Sequence, residues 1–362
     1  MKVVLVSNEK SDVPGGENIF MMNLINGLSE HGFEFEICNT GLPPSHRSFF
    51  DKALEYSRLQ SLSNVYGKVR KIKDYDALHF LNASCCLAGL PKKGVKIATS
   101  HILGKSHYRF YEPRGITEGI LESAYHNYSS LMDRVAFNSM DCIVASSPYH
   151  AGDIHETYGV PRSKIEVIPP GIDLLSIKKS PKTDLRSKYD CDHVIVYVGR
   201  TSGFRKGLQY LIDAVDKNAP YKVLVIGGGL DERYFKELVK EKGLESKIIF
   251  LGYLDFKQKT MIQKSADATI VPSVSESFCM VFAESLACGV PVVAFDMPFW
   301  KPLYSGAGLF VERDGLAEGI GRILTDARLR KKITARGSEI VKSYDIKKTV
   351  SDYMEFYESL CR

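Results

Sequence analysis

A chain of 362 residues, 44% hydrophobic and 25% charged, is long enough for two ordinary domains with sizeable cores, and this composition excludes a disordered or low-complexity protein. The net charge of +5 is modest for that length and no nucleic-acid-binding motif is legible, so nucleic acid is not an expected partner. Eight cysteines, Cys38, Cys85, Cys86, Cys142, Cys191, Cys279, Cys288 and Cys361, show no C-x-x-C spacing, which argues for a reducing compartment and against a zinc site. The opening run KVVLVS stops at Asn8 and Glu9, so it reads as a strand and not as a signal peptide. No run reaches the ~20 apolar residues of a membrane span, and a cytoplasmic location is expected.

In chain order, strands are expected at 2–7, 34–38, 76–81, 95–99, 141–145 and 165–168, with helical or irregular segments between them. The glycine pair Gly15 and Gly16 falls at the first strand-to-helix turn, before an amphipathic run from Asn18 to Ser29. Glycines there let backbone approach a ligand, and the helix start adds amide donors. The stretch Pro43 to Lys73 is polar, aromatic and basic without a clear strand. Lys68, Arg70, Lys71 and Lys73 surround Val69 and Ile72, and Lys105, Arg109 and Arg114 are interleaved with Tyr108, Phe110 and Tyr111. Such basic and aromatic mixtures suit peripheral contact with anionic headgroups or a phosphorylated acceptor.

A second strand series follows at about 193–199, 221–226, 247–250, 268–271, 291–294 and 308–311. Strands alternating with helices predict parallel, doubly wound sheets. The expected fold class is therefore α/β, with two Rossmann-like domains facing a cleft. The expected division is 1–173 plus a returning segment 345–362, and 174–344.

Two stretches of the second series carry chemistry. VIVYVGRTSGFRKGL, Val194 to Leu208, runs from an apolar strand into a loop holding Arg200 and Lys206. Cations at a helix start oppose the helix dipole, so a bound anion is expected between them, and they would stabilise a departing diphosphate. VPSVSESFCMVFAESLACGVPVVAFD, Val271 to Asp296, reads strand, loop, helix, strand, with Glu276 before the helix and Glu284 on it. Amide donors around Cys279, Met280 and Val281 would take a diphosphate, while the carboxylates accept from sugar and ribose hydroxyls.

This second stretch resembles the signature of the retaining glycosyltransferases of sequence family 4 (GT-B fold), with two glutamates separated by seven residues and then A-C-G-x-P-V-V. The resemblance implies that Glu276 contacts the donor sugar and Glu284 the nucleotide ribose. The chain departs from the family pattern at Ser277 and Cys279, where glycine is usual. Val194 to Leu208 is similar to the family's G-R-x-x-x-x-K-G pattern with one extra residue, which gives Arg200 and Lys206 to the diphosphate. Gly15 and Gly16 resemble the family's glycine pair at the donor phosphates, and EVIPPGID resembles its interdomain connection. By the same resemblance Gly252 and Tyr253 lie at the base, Ser277 and Phe278 complete the donor loop, and a terminal helix over Tyr344 to Leu360 crosses back to the first domain.

His101, after the strand KIATS, resembles a family histidine near donor sugar and acceptor; His79, at another strand end, is a second candidate. The catalytic set expected is Glu276, His101, Arg200 and Lys206. The reaction implied is retaining transfer of a hexose from a nucleoside-diphosphate sugar (UDP, GDP or ADP) to a hydroxyl acceptor, lipid-linked or glycan. With no D-x-D motif at a strand end, neither metal nor other cofactor is expected. The alternatives are a sugar-nucleotide epimerase or hydrolase of the same fold, and a non-catalytic sugar-nucleotide sensor. A nicotinamide oxidoreductase is disfavoured: Gly227, Gly228 and Gly229 come nearest its glycine turn, but Glu232 replaces the third glycine. These glycines read instead as close packing.

Overall fold

The computed structural model describes residues 1–7, 16–39, 66–81, 86, 94–100, 116–201 and 205–360. Chain contacts divide it into two compact units, Met1–Gly171 with Ile346–Arg362, and Ile172–Asp345.

The first unit carries strands β1 (Lys2–Ser7), β2 (Glu34–Asn39), β3 (Ala77–Phe80), β4 (Val95–Ser100), β5 (Cys142–Ala145) and β6 (Ile165–Val167). They form one sheet in the order β2-β1-β3-β4-β5-β6, every pair parallel. Val3 to Val6 and all of β3 are buried, as expected of parallel strands covered on both faces. Among the described residues its helices include α1 (Gly16–Ser29), α2 (Ile116–Asn138) and α3 (Pro148–Tyr158). Ser147 caps α3 by accepting from the His150 amide, and Gly159 ends it in a left-handed turn.

The last helix of the chain, α13 (Ile346–Leu360), completes this unit by placing Val350, Tyr353, Phe356 and Tyr357 in the core beside β1 and α1. Contact with α1 is close, since a Cβ on Gly27 would lie 2.4 Å from Val350 Cγ2. A buried polar chain pins α13 to the sheet. His79 Nδ1 is hydrogen-bonded to Tyr357 Oη at 2.5 Å, and His79 Nε2 to Thr99 Oγ1 at 2.6 Å.

The second unit carries α4 (Leu174–Lys179), α5 (Leu185–Tyr189), β7 (His193–Val198), α6 (Leu208–Ala214), β8 (Tyr221–Ile226), α7 (Glu232–Glu241) and β9 (Ile248–Gly252). After these come α8 (Phe256–Ser265), β10 (Ala268–Val271), α9 (Met280–Ala287), β11 (Val292–Phe295), α10 (Lys301–Tyr304), β12 (Leu309–Val311), α11 (Leu316–Thr325) and α12 (Ala327–Ile340). Its all-parallel sheet runs β12-β11-β10-β7-β8-β9. Both sheets have the doubly wound form read from the sequence.

Strand order reverses between β7 and β10, so the loops after these two strands diverge to opposite faces and leave a crevice at their carboxyl ends. Those are the loops bearing Lys206 and Glu276. Among the described residues no helix is long and apolar enough to cross a membrane.

Candidate functional site

Glycines draw the loops of the second unit together. A Cβ on Gly227, whose φ is +120°, would lie 2.1 Å from the Gly199 carbonyl oxygen. One on Gly207, at φ +74°, would lie 1.8 Å from the Pro272 carbonyl oxygen. Only glycine allows either approach. The Val274 amide donates to the Arg205 carbonyl at 3.0 Å, and Arg205 Nη1 donates to the Ser275 carbonyl at 3.2 Å. The loop after β7 is thereby stitched to the loop after β10.

Glu276 lies at this seam with a side chain only 6% exposed. Lys206 Nζ donates to its Oε1 at 2.6 Å, and Arg205 Nη1 stands 3.6 Å from its Oε2. Burial by itself would raise the carboxyl's pKa, but Lys206, Arg205 and a hydrogen bond from Ser273 outweigh it, and the net direction is downward. The group is a carboxylate at neutral pH.

Glu284, on α9, is equally buried, and Lys259 of α8 donates to its Oε1 at 2.6 Å. Its other oxygen, Oε2, is buried with no hydrogen-bond partner among the described residues. A buried carboxylate oxygen without a donor is costly, so a ligand hydroxyl at this point would be bound well.

The helix carrying Glu284 begins at Cys279, which adopts a left-handed conformation at φ +67° and ψ 82° and provides no side-chain cap. The first amides of α9, those of Met280 and Val281, lack intrahelical acceptors by the geometry of a helix start. Burial pushes the Cys279 thiol up to about 12, with Glu276 adding to the shift. The residue is an inert apolar filler held in a left-handed conformation. Aromatic packing fixes the helix start: Tyr304 Oη donates to the Phe278 carbonyl at 3.0 Å, and the Tyr304 ring stacks on Phe282 at 4.2 Å and 6°. Phe278 is itself buried, so its side chain supports the loop and does not face a ligand.

Gly252 ends β9 at φ +68°, and its carbonyl accepts from the Gly227 amide at 2.8 Å. Tyr253 beside it is 57% exposed, with its hydroxyl donating to the Gly228 carbonyl at 2.8 Å. Arg200 is exposed, and the guanidinium that reaches Glu276 is that of Arg205. Ser277 is half-buried. Tyr197, whose buried hydroxyl has no hydrogen-bond partner among the described residues, has its pKa raised by burial and then by Glu276.

Sequence reasoning missed Arg205, Lys259 and Tyr197. Arg205 adjoins Lys206, and that adjacency is the one signal that pointed to it. Gly15 and His101 lie outside the described residues, as do Lys105, Tyr108, Arg109, Phe110, Tyr111 and Arg114. Gly16 opens α1. His79 is no rim residue: it is fully buried and both ring nitrogens are engaged with core hydroxyls. Val69 and Ile72 enter the core of the first unit, while Lys68, Arg70, Lys71 and Lys73 stay exposed.

Comparison with known proteins bears on the family and the fold. The family model described as Glycosyltransferase Family 4 matches residues 14–175, and that described as Glycosyl transferases group 1 matches residues 182–339. The phosphatidyl-myo-inositol mannosyltransferase of Mycolicibacterium smegmatis is 27% identical, over 99% of this chain and 94% of its own. Sucrose-phosphate synthase from Thermosynechococcus elongatus superposes with a TM-score of 0.85 at 20% identity, covering 99% of this chain and 98% of that one. Anabaena Alr3699/HepE in complex with UDP-glucose superposes with a TM-score of 0.76 at 19% identity, over 99% of this chain and all 100% of that one. With two Rossmann-like sheets and a family match in each half, the chain belongs to the family-4 type of GT-B glycosyltransferases.

Proposed function

We propose that the protein transfers a hexose from a nucleoside-diphosphate sugar to a hydroxyl acceptor with retention of anomeric configuration and without a metal. The observation that carries this reading is the pair of buried glutamates on one strand–loop–helix unit, each held by its own lysine at 2.6 Å. The unpartnered Oε2 of Glu284 accepts from a ribose hydroxyl. Glu276 accepts from hydroxyls of the sugar, and its lowered pKa keeps it anionic beside the positive charge that develops at the anomeric carbon. The α9 amides of Met280 and Val281 receive the diphosphate.

An ammonium group has three donors, and Glu276 takes one from Lys206. The other two face the departing diphosphate, joined by the Arg200 guanidinium. As the bond between the anomeric carbon and the diphosphate oxygen breaks, the acceptor oxygen bonds to that carbon on the same face. The hydroxyl proton passes to the leaving phosphate oxygen. Cations and helix amides stabilise the diphosphate more as its charge grows, which is where such groups lower a barrier. Gly15, Gly16 and His101 are proposed as further donor-site residues by the family resemblance, the glycines for the phosphates and the histidine for the transferred sugar. Ser277, Gly252 and Tyr253 complete the donor pocket.

Relatives named for mannosyl transfer to phosphatidyl-myo-inositol and for glycosyl transfer to D-inositol 3-phosphate support a polyol or lipid-linked acceptor. The exposed Lys68, Arg70, Lys71 and Lys73 suit contact with an anionic membrane surface at the cytoplasmic face. The test is a thermal-shift panel of UDP-, GDP- and ADP-hexoses on the purified protein. Donor at ~100 times its dissociation constant adds roughly 2.7 kcal/mol of stability. Transfer to inositol-type acceptors is then followed by NMR, where the anomeric coupling reads out retention. Absence of a shift with every donor overturns the reading.

A further inference from the structure

A cavity of about 370 Å³ opens on the amino edge of the second sheet, the edge opposite the loops of Lys206 and Glu276. Its floor is the start of three adjacent strands, for His193 begins β7, Asp267 precedes β10 and Pro291 precedes β11. Five permanent cations line it, Lys182, Arg186, Lys264, Arg330 and Lys331, against a single carboxylate, Asp267. That carboxylate is already engaged. Its Oδ2 accepts from the Val194 amide at 2.8 Å and its Oδ1 meets the Arg186 guanidinium.

Two of the cations are anchored by backbone. Lys264 Nζ donates to the carbonyls of Ile177, Lys178 and Ser180 at 2.9, 2.8 and 2.8 Å, and Arg330 Nη1 to that of Ile323 at 2.9 Å. Carbonyl dipoles fix these heads in place but do not neutralise them. Lys182 and Lys331 have no ion-pair partner among the described residues. His193 Nδ1 is buried without a hydrogen-bond partner and stands 3.8 Å from Asp267 Oδ1. Asp326 caps the start of α12 by accepting from the Leu329 amide at 2.9 Å, and Arg328, Arg330, Lys331 and Lys332 follow it with no further acidic residue in the first turn, so cations outnumber carboxylates there. The mutual repulsion of the cations lining the cavity falls when an anion enters.

We propose that this cavity is a second ligand site, for a small phosphorylated molecule, separate from the donor site. Its volume lies in the range of small-molecule pockets, and its surplus of positive charge exceeds what one carboxylate ligand would balance. Ligands of open α/β sheets gather at the carboxyl ends of the strands, so donor binding leaves this amino-edge site unaccounted for.

The test uses the full chain and two probes, inorganic phosphate and pyrophosphate, by titration calorimetry. Protein carrying Lys206→Gln, in which the donor site is weakened, is expected to keep this binding. The double variant Lys182→Gln/Lys331→Gln is expected to bind about tenfold or more weakly, with its thermal unfolding in phosphate-free buffer and its donor-induced stabilisation unchanged. Both lysines are unpaired, so their loss leaves the fold intact. Phosphatidylcholine vesicles with and without phosphatidic acid separate the sources of the phosphate. Pelleting of wild type but not of the double variant assigns the site to a lipid headgroup, and calorimetric binding without pelleting assigns it to a soluble ligand. Undiminished phosphate affinity in the double variant, or loss of all binding in Lys206→Gln, overturns the proposal.

Discussion

Lys206 and Glu276 stand 70 residues apart in the chain and 2.6 Å apart in space, on loops that leave adjacent strands β7 and β10 where the sheet order reverses. The sheet topology, more than either local sequence, makes them neighbours. Their pairing joins the cation expected at a diphosphate to the carboxylate expected at a sugar.

Replacing either partner is expected to cost turnover. Lys206→Ala and Glu276→Gln should each lower kcat for sugar transfer by about 10²–10³, the range seen when a transition-state donor is removed. Stability separates pairing from chemistry. Lys206→Met leaves a buried carboxylate and should lose about 3 kcal/mol in urea unfolding, whereas Lys206→Met/Glu276→Gln should recover part of that loss.

Acid should reveal the same pair. Lys206 and Arg205 prevail over burial and hold the Glu276 pKa below its ordinary value in the folded state. The native state is then favoured at pH values above the unfolded carboxyl pKa of about 4.3, and this contribution is lost as pH falls through the lower folded value. Urea midpoints measured from pH 7 down to 3 should fall less steeply in Glu276→Gln than in wild type. Parallel curves for the two proteins would mean that the carboxylate is not stabilised.

Glu284 should act on donor affinity more than on chemistry. Loss of a charged acceptor is worth about 1.5–3 kcal/mol, so Glu284→Gln is expected to raise the donor KM by about tenfold or more with a smaller change in kcat. Donors lacking a ribose hydroxyl should bind wild type poorly and discriminate little between wild type and the variant. Lys259→Met should share the KM effect, because Lys259 holds Glu284 through the 2.6 Å contact.

Cys279 is expected to respond to shape, not to reactivity. A left-handed conformation strains any residue with a Cβ, and β-branched residues most. Cys279→Gly should stay within about 1 kcal/mol of wild type, while Cys279→Val should lose about 1–3 kcal/mol. Equilibrium unfolding of the two variants makes the comparison.

Gly207→Ala places a methyl carbon 1.8 Å from the Pro272 carbonyl oxygen. Stability should fall by at least about 2 kcal/mol, and transfer activity should fall with it, because this contact sets the spacing between the Lys206 and Glu276 loops. Full stability and activity in this variant would show that the loops can separate freely.

Much of this architecture was legible because buried parallel strands read as uninterrupted apolar runs. KVVLVS and HVIVYV announce themselves, and the alternation with helices gives parallel sheets. Glu276, Glu284 and Lys206 were legible because each sits beside a strand end and a helix start, a context that spacing reveals. Partners distant in sequence left no such mark. Lys259 belongs to the exposed-looking run FKQKTMIQKS, and only the packing of α8 against α9 turns it toward Glu284. His79 showed the opposite failure. A histidine at a strand end looks available until an aromatic helix from the far end of the chain covers it. The amino-edge cavity was invisible for a related reason, since its cations come from segments spread between Lys182 and Lys331.

Tyr353 and Tyr357, buried against β1, β3 and β4 through the His79 chain, also bear on the order in which the protein assembles. Every residue of the second unit leaves the ribosome before these tyrosines do. The middle of the chain can therefore mature while the first sheet waits, with one apolar flank uncovered, for its closing piece. During synthesis that waiting sheet is the aggregation-prone species, and a chain halted before Ile346 would keep it so.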